Sequence, residues 1–192
     1  MIEALFKKSK ILVLFLFNIL FCINEKDLAI ENYVSNYHPM CSQTCIDIYL
    51  KEQKPYMGLH WMVSHNLLIS NKISLYNEKD NDKYSHSLSG LDLKIFDKNN
   101  YDLYISFDIN KISYYESQSY RWHQMSLIYL VKFKKSNFQI VIDSIYDNDW
   151  DYKAINYIYG INIYDNVFLN MGLIQNLSNN DFDGLLTLNF NI

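Results

Sequence analysis

The sequence predicts an all-β protein: an eight-stranded antiparallel up-and-down transmembrane β-barrel preceded by a short amphipathic helix. Three observations carry that expectation. First, the stretch Tyr101–Asn110 places Tyr, Leu, Ile, Phe and Ile at odd positions and Asp, Tyr, Ser, Asp and Asn at even ones. This is the two-residue period of a strand with one apolar and one polar face. Second, 17 Tyr and 11 Phe stand against 2 Pro and 5 Gly, and aromatic and β-branched residues favour strands. Third, short polar connections at 97–100, 134–137 and 165–166 take turns with longer ones around 70–84, 113–121, 148–151 and 178–182. An even-stranded barrel crossing an outer membrane has this asymmetry, with tight turns on the periplasmic side and longer loops outside.

Taken in order, residues 1–23 are expected to be a signal peptide. Lys7, Lys8 and Lys10 precede an apolar run from Ile11 to Cys22, which is short for a membrane span. Residues 24–55 are expected to form a periplasmic helix and linker. Leu28, Ile30, Tyr33 and Val34 fall roughly on one side of a helix over 24–37, and His38-Pro39 ends it. The barrel is expected over 56–192, with strands at 57–69, 85–96, 101–112, 122–133, 138–147, 152–164, 167–177 and 183–192. Each keeps two faces: Leu91, Leu93 and Ile95 oppose Gly90, Asp92 and Lys94, and Leu186, Leu188 and Phe190 oppose Thr187 and Asn189. Strands of this length fit a tilted bilayer crossing, and closure is required because an open edge in lipid leaves backbone groups unpaired.

Alternation does not by itself say which face points inward. A soluble, lipocalin-like periplasmic barrel would put the apolar face inside. Charges on the polar face (Asp92, Lys94, Asp102, Asp108, Asp143), apolar faces continuous in nearly every strand, and Tyr and Phe near strand ends favour lipid outside. The expected location is then the outer membrane of a Gram-negative bacterium. The expected partners are its phospholipid and lipid A and the barrel assembly machinery, around a monomer. A net charge of −4 gives no reason to expect a nucleic-acid partner.

No cofactor is expected, since the chain carries no Gly-rich phosphate loop, no complete zinc motif and no GxSxG. Cys41 and Cys45 read equally as an exported disulfide and as two thiols. A metal site with His38 lacks an evident fourth ligand.

Several short stretches, in order, resemble the PagP family of outer-membrane lipid A palmitoyltransferases. They are Tyr76-Asn77-Glu78, Gly90-Leu91, Asn100-Tyr101, Leu103-Tyr104, Tyr120-Arg121-Trp122, Asn137-Phe138 and Asp147–Tyr152. Residues 165–192 resemble the family's last hairpin. The resemblance implies an eight-stranded barrel moving a fatty acyl chain from phospholipid to lipid A. By it, His65 takes the place of the catalytic base, and Asp108 and Ser113 the place of an Asp-Ser pair, although here the two are not adjacent. Acyl transfer needs a base for the acceptor hydroxyl and donors for the oxyanion. Arg121 replaces a glycine at the pocket floor, where a long charged side chain would shorten an acyl pocket. Read from the residues alone, His65 is also a plain rim histidine, Asp108 one member of a lumen hydrogen-bond network, and the whole a non-enzymatic structural or adhesive outer-membrane barrel.

Overall fold

The computed structural model describes residues 33–39, 43–51, 54–79, 82–114, 119–147, 150–177 and 180–192. Ten strands run in sequence order: β1 (Thr44–Lys51), β2 (Lys54–Ser64), β3 (Leu67–Lys79), β4 (Asp82–Lys98), β5 (Tyr101–Tyr114), β6 (Ser119–Lys132), β7 (Ser136–Asp147), β8 (Trp150–Tyr164), β9 (Val167–Asn176) and β10 (Phe182–Asn191). Each pairs antiparallel with its neighbour, and β1 pairs with β10 from Cys45↔Asn191 to Leu50↔Leu186, so the sheet closes on itself. Both the start of β1 and the finish of β10 lie at one end, called the near end below.

The expected eight-stranded architecture is therefore corrected to ten strands, and the likeness to the eight-stranded PagP barrel falls with it. Two staves were hidden. β1 lies in the stretch read as helix and linker, although Ile46, Ile48 and Leu50 alternate there with Asp47 and Tyr49. The other stave was lost because the first expected strand, 57–69, is really a hairpin turning at His65-Asn66, with β3 running on through the supposed loop. A two-residue turn on its own exchanges odd and even positions between faces. Here an extra residue, Val63, bulges between Met62 and Ser64 and restores the parity. Met57, Leu59 and Trp61 on β2 and Ile73 on β3 thus all point outward, and the alternation runs through the turn without a break. The hairpins β4–β5 and β8–β9 repeat the device at Ile95 and Ile163.

No helix occurs among the described residues. Of the helix expected over 24–37, residues 24–32 lie outside the described set, as do the signal peptide and Cys41. Tyr33–Tyr37 is not helical: it is irregular chain buried inside the barrel.

The near-end turns are short and Asn-rich. Asn99 takes φ 47°, a left-handed conformation that Asn tolerates better than most residues. The Asn66, Asn100 and Asn166 carbonyls accept from the backbone amides of Lys94, Lys132 and Asn191 on the next strand round, at 2.7–2.9 Å. The turns are therefore tied into the wall rather than left to solvent.

The outer face is largely apolar, whereas the inner face is mixed: buried Asp, Asn, Ser and Gln stand beside an apolar cluster that includes Leu88, Ile112, Leu130, Val141 and Ile158. On β5, Asp102, Ser106, Asp108 and Asn110 are at most 2% exposed inside, while Tyr101 and Phe107 are each 44% exposed outside. Met57, Leu127, Tyr129, Ile142, Tyr159, Met171 and Leu173 continue the apolar outer belt around the wall. The exposed apolar belt is what a soluble lipocalin-like barrel, with its apolar face inside, would lack. About eight strands give an interior that side chains alone can fill. Ten leave room along the axis, and residues 33–38 occupy it.

Candidate functional site in the barrel lumen

The polar groups of the lumen demand partners, because an unpaired buried polar group costs about 1–3 kcal/mol. The segment Tyr33–His38 supplies many of them. The Tyr33 hydroxyl donates to Asp143, whose carboxylate also accepts from Asn156 at 2.6 Å. Gln124 donates to the Val34 carbonyl at 3.1 Å, and the Ser35 amide donates to the Tyr49 hydroxyl at 3.2 Å. The Asn36 side-chain amide donates to Asp108, to Ser106 at 2.7 Å and to Ser126 at 3.2 Å. Tyr37 donates to Asp47 and accepts from Asn189 at 3.1 Å. Gln139 clamps His38 by its backbone, accepting from the amide and donating to the carbonyl, both at 2.9 Å.

The direction of the segment follows from these contacts. On β7, Tyr33 meets Asp143 and His38 meets Gln139, four residues nearer the strand's start. On β5, Asn36 meets Asp108 and His38 stacks on Tyr104 at 3.9 Å. Both strands begin at the near end, so the segment descends from the far side of the lumen toward the near end, where β1 begins. Among the described residues no backbone–backbone hydrogen bond joins it to the wall. It is held by side chains, as a ligand is.

Around it sit three titratable clusters. Asp47 pairs with His60 at 3.1 Å under Tyr37, and the Lys72 ammonium lies 4.5 Å from the Tyr37 ring centre and 5.5 Å from that of Tyr49. The rings take the place of the hydrogen bonds that Lys72 lacks among the described residues. His86 lies between the Tyr56 hydroxyl and the Asn110 side-chain carbonyl, 3.0 Å from each, and stacks on Trp122. Nε2, facing the Asn110 carbonyl oxygen, donates to it. At the near-end rim, His65 and Lys94 both reach Asp97, at 2.9 and 3.2 Å, and Lys132 holds Asp102 at 2.9 Å. Asp97 is the second-last residue of a 17-residue strand, beyond the length a bilayer crossing needs. Its carboxyl sits below the usual range, held there first by the hydrogen bond from His65 and then by Lys94.

The three residues singled out in the sequence are not brought together. His65 is on the near-end turn, its side chain 76% exposed. Asp108 is midway along β5, inside, engaged by Asn36 and by Ser106 at 3.1 Å. Ser113 is at the far end of β5, between Ser85 and Ser119, on positions of outward parity. His65 and Ser113 are separated by most of a strand, about 30 Å at ~3.3 Å per residue, whereas a base must come within hydrogen-bond reach of the proton it takes. Arg121 also has outward parity and stands opposite Lys111 on β5, so it is no part of a pocket floor. No group of three or more His, Cys, Asp or Glu among the described residues is placed to hold a metal ion. His38 instead lies against Tyr104 with Asp92 at 3.5 Å, and Cys45 is buried on β1.

The residues that matter most to the lumen, Tyr33, Asn36, Tyr37, His38 and Gln139, were not legible as a site. The available signal was indirect: strands with many inward acids and few inward bases need donors from elsewhere in the chain. No protein-family model matches the chain, and no curated protein matches it.

Proposed function

We propose that the chain is a small non-enzymatic barrel of the outer membrane of a Gram-negative bacterium, structural or adhesive in kind, with its lumen closed by its own residues 33–38. The observation that carries this reading is the pairing of an apolar outer belt with an interior whose buried acids, amides and hydroxyls, set among apolar residues, are met by that segment. An apolar outside fits hydrocarbon, and closure leaves no backbone edge to it. Residues 33–38 fill the described axis, and among the described residues His65, Asp108 and Ser113 do not converge at either rim. The barrel works as a monomer, is inserted by the barrel assembly machinery, and has outer-membrane lipids as its surroundings. The far end, with the longer strand projections of β3 to β6, is the end exposed outside the cell.

Cell fractionation combined with mass spectrometry of lipid A tests the reading. The expected result is recovery with outer membranes, and identical lipid A with wild-type chain, His65→Ala chain or no chain. An acyl chain added only when wild type is expressed would overturn the non-enzymatic reading. Recovery without detergent in the periplasmic fraction would overturn the membrane reading.

A further inference from the structure

One row of outward residues breaks the apolar belt. The register runs Met57↔Ile73, Ile73↔Ser87, Ser87↔Lys111 and Lys111↔Arg121, a single line across β2, β3, β4, β5 and β6. Chemistry changes stepwise along it, from apolar through hydroxyl to cationic. At its apolar end a recess of about 420 Å³ opens in the outer wall, lined by Met57, Leu59, Ile73, Asn71, Ser87 and Ser89. Ser89 donates to Asn71 at 2.8 Å on that same surface. At its other end two permanent cations stand directly opposite each other. Like charges in that relation are destabilising, and neither forms an ion pair among the described residues.

On β4 to β6 the row sits where the belt stops. Below it, β5 presents Leu103, Ile105 and Phe107 outward and β6 presents Tyr129, Leu127 and Met125. Beyond these come Ile109 and then Lys111 on one strand, and His123 and Arg121 on the other. Above the belt, β4 continues with Ser89, Ser87 and Ser85 where its lower half has Leu91 and Leu93. On the membrane reading proposed above, the headgroup region and its lipid phosphates would meet the wall at that height.

We propose that this row is a binding site for a phosphorylated acyl lipid of the outer leaflet. An acyl chain enters the recess beside Met57, Leu59 and Ile73. The serine hydroxyls and Asn71 bond the polar linkage, and the phosphate lies over Lys111 and Arg121. The external anion removes the repulsion between the two cations, and charge-assisted bonds of this type are the strong ones. The proposal rests on the membrane reading above and adds to it a particular lipid chemistry at a particular place on the wall.

The test uses the full chain in vesicles of the phosphate-free lipid digalactosyldiacylglycerol doped with bisphosphorylated lipid A or with the same lipid stripped of phosphate. Bound lipid is measured by native mass spectrometry after vesicle flotation. Wild type is expected to retain the phosphorylated form about tenfold better than the stripped form, the order expected for one charge-assisted bond. Lys111→Gln with Arg121→Gln should abolish that preference. Lys98→Gln, a cation at the other end of the barrel, should keep it, and Met57→Trp, which fills the recess, should weaken retention of both lipids. Heat-dependent migration on gels checks that each variant is a closed barrel. Equal retention of the two lipids, a preference unchanged in the double variant, or an equal loss with Lys98→Gln overturns the site. Chain that does not float with the vesicles overturns the membrane reading and the site together.

Discussion

The carboxylates of the lumen are large enough that the wall opposite them has to be bare. A side-chain carbon added to Gly58 would run into the Asp47 carboxylate, and one added to Gly90 would run into Asp108 and Ser70. These acids cannot easily step aside, because Tyr37 and His60 hold Asp47 and Asn36 holds Asp108. Gly58→Ala should therefore destabilise the barrel by ~1–3 kcal/mol, the usual range for overpacking. Gly184→Ala has open space around it and should stay within ~0.5 kcal/mol. Urea unfolding of the two variants in the same detergent decides the matter, and equal effects would remove the close-approach argument. The rim offers a second residue-scale expectation. Asp97 has a lowered pKa chiefly because of His65, so any stability it contributes is present above its unfolded pKa and is lost as pH falls through the folded one. Removing the donor by His65→Ala should shift the Asp97 midpoint upward in a carbon-detected NMR titration. A midpoint that does not move would mean that His65 has some other role than holding this carboxylate.

Among the elements, the strands were legible and two of their boundaries were not. β4 to β10 follow the alternation seen in the sequence, because each has an outer face of large exposed apolar side chains and an inner face carrying buried polar ones. The hairpin at His65-Asn66 escaped because the bulge at Val63 keeps odd positions outward on both arms, so the pattern carries no mark of the turn. β1 escaped because Asp47 and Tyr49 look like linker residues until the lumen is known to be polar. The segment Tyr33–His38 escaped altogether. It has no period of its own, since each side chain answers a different strand of the wall. Its apolar members resembled one helical face only by spacing. The outward sign of the apolar face was read correctly, and the catalytic assignment was not supported by placement, because His65, Asp108 and Ser113 belong to three different levels and two faces of the wall. The lumen segment gives the sharpest element-scale expectation. Gln139→Ala removes both partners of the His38 backbone and should loosen the segment at its near end, with a stability loss of ~1–3 kcal/mol. Amide exchange should rise at residues 36–38 while the strand ladders keep their protection. Uniform loss of protection around the barrel would mean that the segment is part of the folding unit rather than a side-chain-held occupant.

At the scale of the whole molecule, closure and occupancy are separable. The β1–β10 ladder closes the wall by backbone bonds from Cys45↔Asn191 to Leu50↔Leu186, and the segment contributes none of these. A chain with Tyr33–His38 replaced by Gly and Ser at equal length should therefore still form the closed barrel and show heat-dependent migration, while its axis fills with water. The charged part of its lining would then be Asp47, Asp92, Asp102, Asp108 and Asp143, against the fewer described cations Lys72, Lys94 and Lys132, beside apolar residues such as Leu88, Ile112 and Val141. A narrow, negatively lined passage concentrates cations over anions. In planar bilayers the wild type should be silent, and the replaced chain should conduct with a reversal potential displaced toward that of the cation in a salt gradient. The preference should fall at high ionic strength, where screening shortens to a few ångströms. A replaced chain that keeps its heat-dependent migration yet stays as silent as wild type would show that the wall collapses inward without its occupant. The filled axis would then be a requirement of the ten-strand wall and not a closure placed upon it.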